Sequence, residues 1–242
     1  MMLEARGVTL AGRLSDVTAL FTPGGITAIC GPNGAGKSSL LQVLAGLLDP
    51  QGGEMRLDGM PLARMKAADR ARLIGYLPQA AEVAWDVTAR SLVALGRMPH
   101  GDAAAAPVEA ALEAVDCKRL AERRVLTLSG GERARVLLAR VLAGEPHWIL
   151  ADEPLAALDL AHQHALMRHL RRCANEGMGV VLVLHDLATA MNHADRVVVL
   201  ERGGTAADGA PEDALAVEVV ARVWGVEARW IGEPGARALV SG

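Results

Sequence analysis

The run Gly31-Pro32-Asn33-Gly34-Ala35-Gly36-Lys37-Ser38 has the spacing G-x-x-x-x-G-K-[ST]. Glycines at those positions let successive backbone N–H groups turn inward onto phosphate oxygens, and the helix that follows favours negative charge at its start. Lys37 brings a cation to the β- and γ-phosphates. The hydroxyl of Ser38, with Ser39 beside it, is placed to ligate Mg²⁺. A second group lies where the apolar run Trp148-Ile149-Leu150-Ala151 ends in Asp152 and Glu153. An acid at the C-terminal end of a strand holds Mg²⁺ through water, and the next acid can orient and deprotonate an attacking water. His185 follows VVLVL in the same manner, so it reads as a group that contacts the γ-phosphate and positions water. Ser129 and Glu132 have capping-box spacing around Gly130 and Gly131. Two glycines behind a serine cap leave backbone N–H groups unshielded at a positive helix end, a second anion site. Two phosphate-binding helix ends in one chain point to a composite site.

These groups need a scaffold. The strand ITAIC runs directly into the glycine loop, and Leu40, Leu41, Val43, Leu44, Leu47 and Leu48 then fall on helical spacing as far as Asp49-Pro50. Short β-rich segments, LEARGVTL and VTALF, precede them, and a second strand region holds EMRLDG and LIGYLPQ. The alanine-rich stretch 80–142 is helical in pattern, with Pro107 suited to a first helical turn. Strands return in HWILADEP, VVLVLHD and RVVVLERGG, with one helix after Asp159 ending near Gly177 and another after His185. Fully apolar strands of this kind require a mostly parallel sheet covered on both faces. The chain therefore reads as a single α/β domain, with a core of 1–79 and 143–242 and a helical lobe, 80–142, inserted between them.

Composition excludes several classes. Lys plus Arg number 25 against 28 Asp plus Glu, a net charge of −3, which argues against nucleic acid as a partner. One Phe, one Tyr and four Trp are too few for a base-stacking platform. Cys30, Cys117 and Cys173 lack metal-ligand spacing and read as buried free thiols in a reducing compartment. No apolar window is long enough to cross a membrane, and MMLEARG lacks the apolar core of a secretory signal. His162 and His164 point to different faces of one helix, and with His169 they read as exposed or interface residues rather than metal ligands. Trp224 and Trp230 read as packing a small terminal extension.

GPNGAGKSS, LPQ, LSGGE, ILADEP, LAALD and LVLHD, in that order and spacing, resemble the nucleotide-binding subunits of ABC transporters over nearly the whole chain. The resemblance implies a P-loop NTPase (RecA-like) core with a mostly parallel sheet, an N-terminal antiparallel β subdomain and an inserted helical lobe. It implies ATP and Mg²⁺, held by Gly31 to Ser39 of Walker A, with Lys37 acting in catalysis. Gln79, which alone would mean nothing, becomes the Q-loop residue that senses the γ-phosphate, touches the metal and couples to a membrane partner through the lobe. Ser129 to Glu132 become the signature, Asp152 a metal ligand, Glu153 the catalytic base, Asp159 a D-loop residue and His185 the switch histidine. Two copies, head to tail, would sandwich two ATP molecules. The pair would dock on a polytopic permease at the cytoplasmic face of the membrane, with a periplasmic binding protein completing the system. VTARSLVALGRMPHG further resembles import subunits that serve iron-siderophore, haem and cobalamin permeases. One departure concerns the base: relatives place an adenine-stacking aromatic near LAGRLS, where this chain offers only Arg13, whose guanidinium plane can stack instead. The rival classes are a soluble non-transport ATPase of the same superfamily and a nucleotide-gated scaffold. Co-purification with a permease separates the first, and phosphate release separates the second.

Overall fold

The computed structural model describes residues 1–79, 86–156 and 158–242. In chain order, β1 (Leu3–Leu10) and β2 (Leu14–Phe21) precede β3 (Ile26–Cys30), which leads into α1 (Lys37–Leu44). Next come β4 (Gly52–Leu57), β5 (Met60–Pro61), α2 (Ala67–Leu73) and β6 (Ile74–Leu77). Three helices follow: α3 (Ala89–Ala94), α4 (Ala105–Ala114) and α5 (Gly130–Ala143). The chain then alternates through β7 (Trp148–Asp152), α6 (Leu160–Asn175), β8 (Gly179–Val183), α7 (Leu187–His193), β9 (Arg196–Glu201) and β10 (Gly204–Gly209). It closes with α8 (Pro211–Ala214), α9 (Val217–Trp224) and the hairpin β11 (Ala228–Ile231) and β12 (Ala238–Ser241).

The central sheet has the order β10-β9-β3-β8-β7-β6, parallel throughout except for β10. A separate antiparallel sheet has the order β2-β1-β4-β5. β4 and β6, which the sequence groups in one strand region, thus join different sheets. Every residue of β3, β7 and β8 is buried, as a sheet covered on both faces demands. Alternation divides their side chains between two apolar layers. Ile29, Leu150, Val181 and Val183 meet α1 and the antiparallel sheet, whereas Ala28, Ile149, Val180 and Leu182 meet the remaining helices. Each such Leu, Ile or Val contributes about 1.5–3 kcal/mol by burial.

The helical spacing after the glycine loop predicts α1 through Leu48, but the helix ends at Leu44. Gly46, at φ +66°, turns left-handed, and the Leu47 amide bonds back to the Gln42 carbonyl at 2.9 Å. This glycine cap stops the helix before Asp49-Pro50 is reached and leaves Leu47 56% exposed. The opening residues of the predicted helical stretch, 80–85, lie outside the described residues. Beyond them, α3, α4 and α5 pack together, and their Leu92, Val93, Leu112 and Val136 share one apolar cluster with the underside of the central sheet. All three cysteines are buried and free. Trp224 and Trp230 pack against that same cluster, and the Trp230 indole donates to the Leu215 carbonyl at 2.8 Å.

Candidate active site

β3 delivers the glycine loop to the C-terminal edge of the sheet. Gly31 (φ +150°) and Gly36 (φ +99°) sit where a Cβ would lie 2.2 Å from the Leu200 carbonyl oxygen and 2.5 Å from that of Arg13. No other residue type fits either position. Gly36 is the N-cap of α1 and supplies no side-chain oxygen, so the first N–H groups of the helix stay available to an anion. Lys37 is 6% exposed, and its ammonium donates to the carbonyls of Gly31 at 2.8 Å and Pro32 at 3.0 Å. Burial holds its pKa below the ordinary lysine value, opposed by the negative charges of Glu153 and Asp152.

β7 ends beside this loop. Asp152 is 3% exposed, and its Oδ1 is buried with no hydrogen-bond partner among the described residues. Burial pushes its carboxyl above the usual range; the Ser38 hydroxyl and Lys37 pull it down, while Glu153 pushes it further up. An orphaned carboxylate oxygen next to a serine hydroxyl is a hard-oxygen donor set, which fits a magnesium ion. Glu153 leaves the strand at φ +51°, rare for a side chain of this size, and its amide donates to the Val183 carbonyl at 3.2 Å. That turn swings its carboxylate between two partners. The Gln79 amide nitrogen donates to Oε2 at 2.8 Å, and Nε2 of His185 lies against Oε1 in a short contact.

These groups enclose a cleft of about 730 Å³ lined by Asn33, Gly34, Gly36, Lys37, Ser38 and Ser39 on one side and Gln79, Glu153 and His185 on the other. Gly12 and Arg13 also line the cleft, and the Arg13 guanidinium plane is a group that can stack on a planar base. Residues that follow β3, β6, β7 and β8, far apart in sequence, therefore converge on one cleft. Gly12 carried no signal of its own in the sequence, and neither did the bonds joining Gln79, Glu153 and His185. Pairing of this kind is set by strand order, which only the fold reveals.

Two predicted groups stand elsewhere. Ser129 caps α5 in a complete capping box: the Glu132 amide donates to Ser129 Oγ at 3.2 Å, and the Ser129 amide to Glu132 Oε2 at 2.9 Å. Those bonds hold the Glu132 carboxyl below its usual range. Ser129 and Gly130 are exposed, and neither they, Gly131 nor Glu132 line the cleft. Asp159 caps α6 by accepting from the His162 amide at 2.9 Å; it too lies outside the cleft. On α6, His169 is half-buried against Cys173, 3.4 Å from its sulfur.

A glycine loop between a buried parallel strand and a helix, faced by a strand-end acid pair, defines a phosphate-loop nucleoside triphosphatase. Residues 14–156 match the ABC transporter family, and the chain belongs to it. Over its whole length it is 44% identical to a hemin import ATP-binding protein of Myxococcus xanthus (strain DK1622), covering 98% of that protein. Among solved structures, cbiO1 of Clostridium perfringens, part of the ABC transporter complex cbiONQ, superposes with a TM-score of 0.78 at 26% identity, covering 91% of this chain and 92% of that one. The dimeric ATP-binding cassette MJ0796, in a post-hydrolysis state with ADP and Pi, gives 0.75 at 27% identity over 86% of this chain and 98% of its own.

Proposed function

We infer that this chain is the ATP-binding and ATP-hydrolysing subunit of a membrane importer, and that the imported cargo is hemin. The reading rests above all on the cleft in which the Lys37 loop faces the Gln79–Glu153–His185 string. In it, the loop amides and Lys37 bind the triphosphate, and Ser38 and Asp152 would hold Mg²⁺, with Gln79 able to join them through its amide oxygen. The metal would supply charge neutralisation on the phosphate oxygens. Glu153, held from both sides, accepts a proton from the attacking water, and His185 orients that water toward the γ-phosphate.

The outward-facing tip at Ser129 supports a homodimer. In a head-to-tail pair, Ser129, Gly130 and Gly131 of one copy would present their donors to the triphosphate in the Lys37 loop of the other, with Asp159 near the seam. In this organisation 1–79 and 143–242 act as the nucleotide core and 80–142 as the lobe that carries the signature. No described helix is long and apolar enough to cross a membrane. As the ATP-binding subunit of an importer, the chain would act peripherally, on the cytoplasmic face, beneath a polytopic permease served by a periplasmic binding protein. A groove of about 520 Å³ suits that permease. It lies between the end of α1, α2, residues 95–99 and the end of α5, and it presents Leu47, Leu95 and Met98 to solvent beside Arg70 and Arg140. The hemin assignment follows the names of the relatives, and the likeness of VTARSLVALGRMPHG to iron-siderophore, haem and cobalamin import subunits is compatible with it without singling out haem. Reconstitution in liposomes with the permease tests it: ATP-dependent hemin uptake is expected, and uptake of cobalamin or a ferric siderophore in preference to hemin would replace the cargo.

A further inference from the structure

The run VALGRMPH carries a charge cluster that stands outside the nucleotide cleft. Arg97 is 5% exposed. Its Nε and Nη2 donate to the two carboxylate oxygens of Asp102 at 3.0 and 2.7 Å. Its Nη1 donates to the Glu145 carboxylate at 2.7 Å and to the carbonyl of Ala143, the last residue of α5, at 3.0 Å. The guanidinium holds the Asp102 carboxyl down to about 2, so the pair stays charged at neutral pH. Two neighbours repeat the attachment. Nε2 of His100 bonds the Gly144 carbonyl at 2.9 Å, and a Cβ on Gly96 would lie 2.0 Å from the carbonyl oxygen of Arg140. Residues 96–100 therefore rest directly on the carbonyl end of α5, where the helix dipole also favours a cation. Their tie to the core is slighter: the exposed Arg72 of α2 donates to the Pro99 carbonyl at 2.7 Å.

We propose that Arg97 is a positioning residue: it makes the wall of the permease groove and α5 one rigid body, so that a permease element seated on Leu95 and Met98 moves the Ser129 tip. The proposal rests on the functions inferred for the groove and for Ser129. α5 has 14 residues and spans about 21 Å, with the groove at one end and Ser129 at the other. A push on Leu95 and Met98 reaches Ser129 undiminished only if their segment cannot slide on the helix end. Asp102 fixes the guanidinium plane from the side of the segment, and Ala143 and Glu145 hold Nη1 from the side of the helix. A buried ion pair adds little net stability over apolar packing, and its use is to fix one arrangement of the parts it joins.

Spin labels on Met98→Cys and Arg133→Cys, both exposed, read the rigid body in the isolated chain, since the native cysteines are buried. With Mg-ADP bound, a single narrow distance is expected, and Arg97→Lys, which keeps the charge but not the fork, should lose it. In liposomes with the permease, Arg97→Lys should assemble and keep its basal ATPase, while the permease-stimulated kcat falls about tenfold at unchanged KM for ATP. Asp102→Asn, at a half-exposed side chain, should show the same split, and Asp102→Glu, which restores the carboxylate, should keep the stimulation. An unchanged narrow distance in Arg97→Lys, or full stimulation of its assembled complex, overturns the proposal. So does a loss of basal ATPase or of assembly in both Arg97→Lys and Asp102→Asn, which marks a purely structural role. A parent subunit that the permease fails to stimulate overturns the inferred function, and the proposal with it.

Discussion

The Lys37 loop and the Ser129 tip are both helix starts suited to phosphate, yet they are finished in opposite ways. At the loop, the charged groups are buried, the acids are aligned on one cleft, and glycine replaces a capping side chain so that the helix amides remain open. At the tip, a complete capping box fixes the helix, the serine and its glycine face solvent, and the Glu132 carboxylate is taken up by the box and by Arg123. One region is a reaction chamber lacking a wall; the other is a wall lacking a chamber. The difference supports the proposal that the two are halves of one site supplied by different copies.

The sharpest break of that comparison is Glu153→Gln. It should lower kcat by about 10³-fold, within the range for losing a general base, while nucleotide binding persists. Phosphate release at the parent rate would remove Glu153 from its role. Next in size, Ser129→Arg should reduce hydrolysis by about 10²-fold, as when a charge-stabilising donor is lost, without weakening ATP binding to the single copy. Its melting temperature should also fall by about 2–4 °C, because an N-cap contributes about 1 kcal/mol. If hydrolysis survived in full, the wall and the chamber would have to be unrelated. A smaller effect is expected at the groove: Met98→Asp should cut permease-coupled transport by about tenfold, equivalent to about 1.4 kcal/mol of docking, and leave the ATPase of the isolated subunit intact. A parallel loss of basal ATPase would show that Met98 serves the fold instead.

The smallest shift is one of stability, and it sharpens the chamber itself. Asp152→Asn should abolish Mg²⁺-dependent turnover yet raise the melting temperature of the nucleotide-free protein by about 2–4 °C. The sign follows from burial: a carboxyl whose pKa is raised on folding binds its proton more tightly in the native state, so native stability falls as pH climbs from the unfolded value, about 3.9, through the raised one. The advantage of the asparagine variant should therefore open across that interval and vanish below it. Differential scanning at several pH values would show it, and an advantage that persisted at pH 3 would contradict the burial argument.

Much of this was legible in the chain before folding. The spacing at Gly31 to Ser38 determines both the loop and its helix, because each glycine answers a local steric demand. The all-apolar stretches of β3, β7 and β8 announce a doubly covered sheet, and Ser129 with Glu132 announces a cap. What stayed hidden depends on partners remote in sequence. Gln79 closes an ordinary strand, and only the order β8-β7-β6 sets it opposite Glu153. The end of α1 is not legible because the apolar period runs on past Gly46, whose left-handed turn overrides it. EMRLDG and LIGYLPQ look alike as strands, and nothing local assigns them to different sheets.

The left-handed backbone at Glu153 has an evolutionary corollary. Such a conformation costs a side-chain-bearing residue of order 1 kcal/mol and costs glycine almost nothing. Glu153→Gly would relax the chain and yield a sturdier but inert protein, so a screen rewarding heat resistance alone would drift toward disarming the motor.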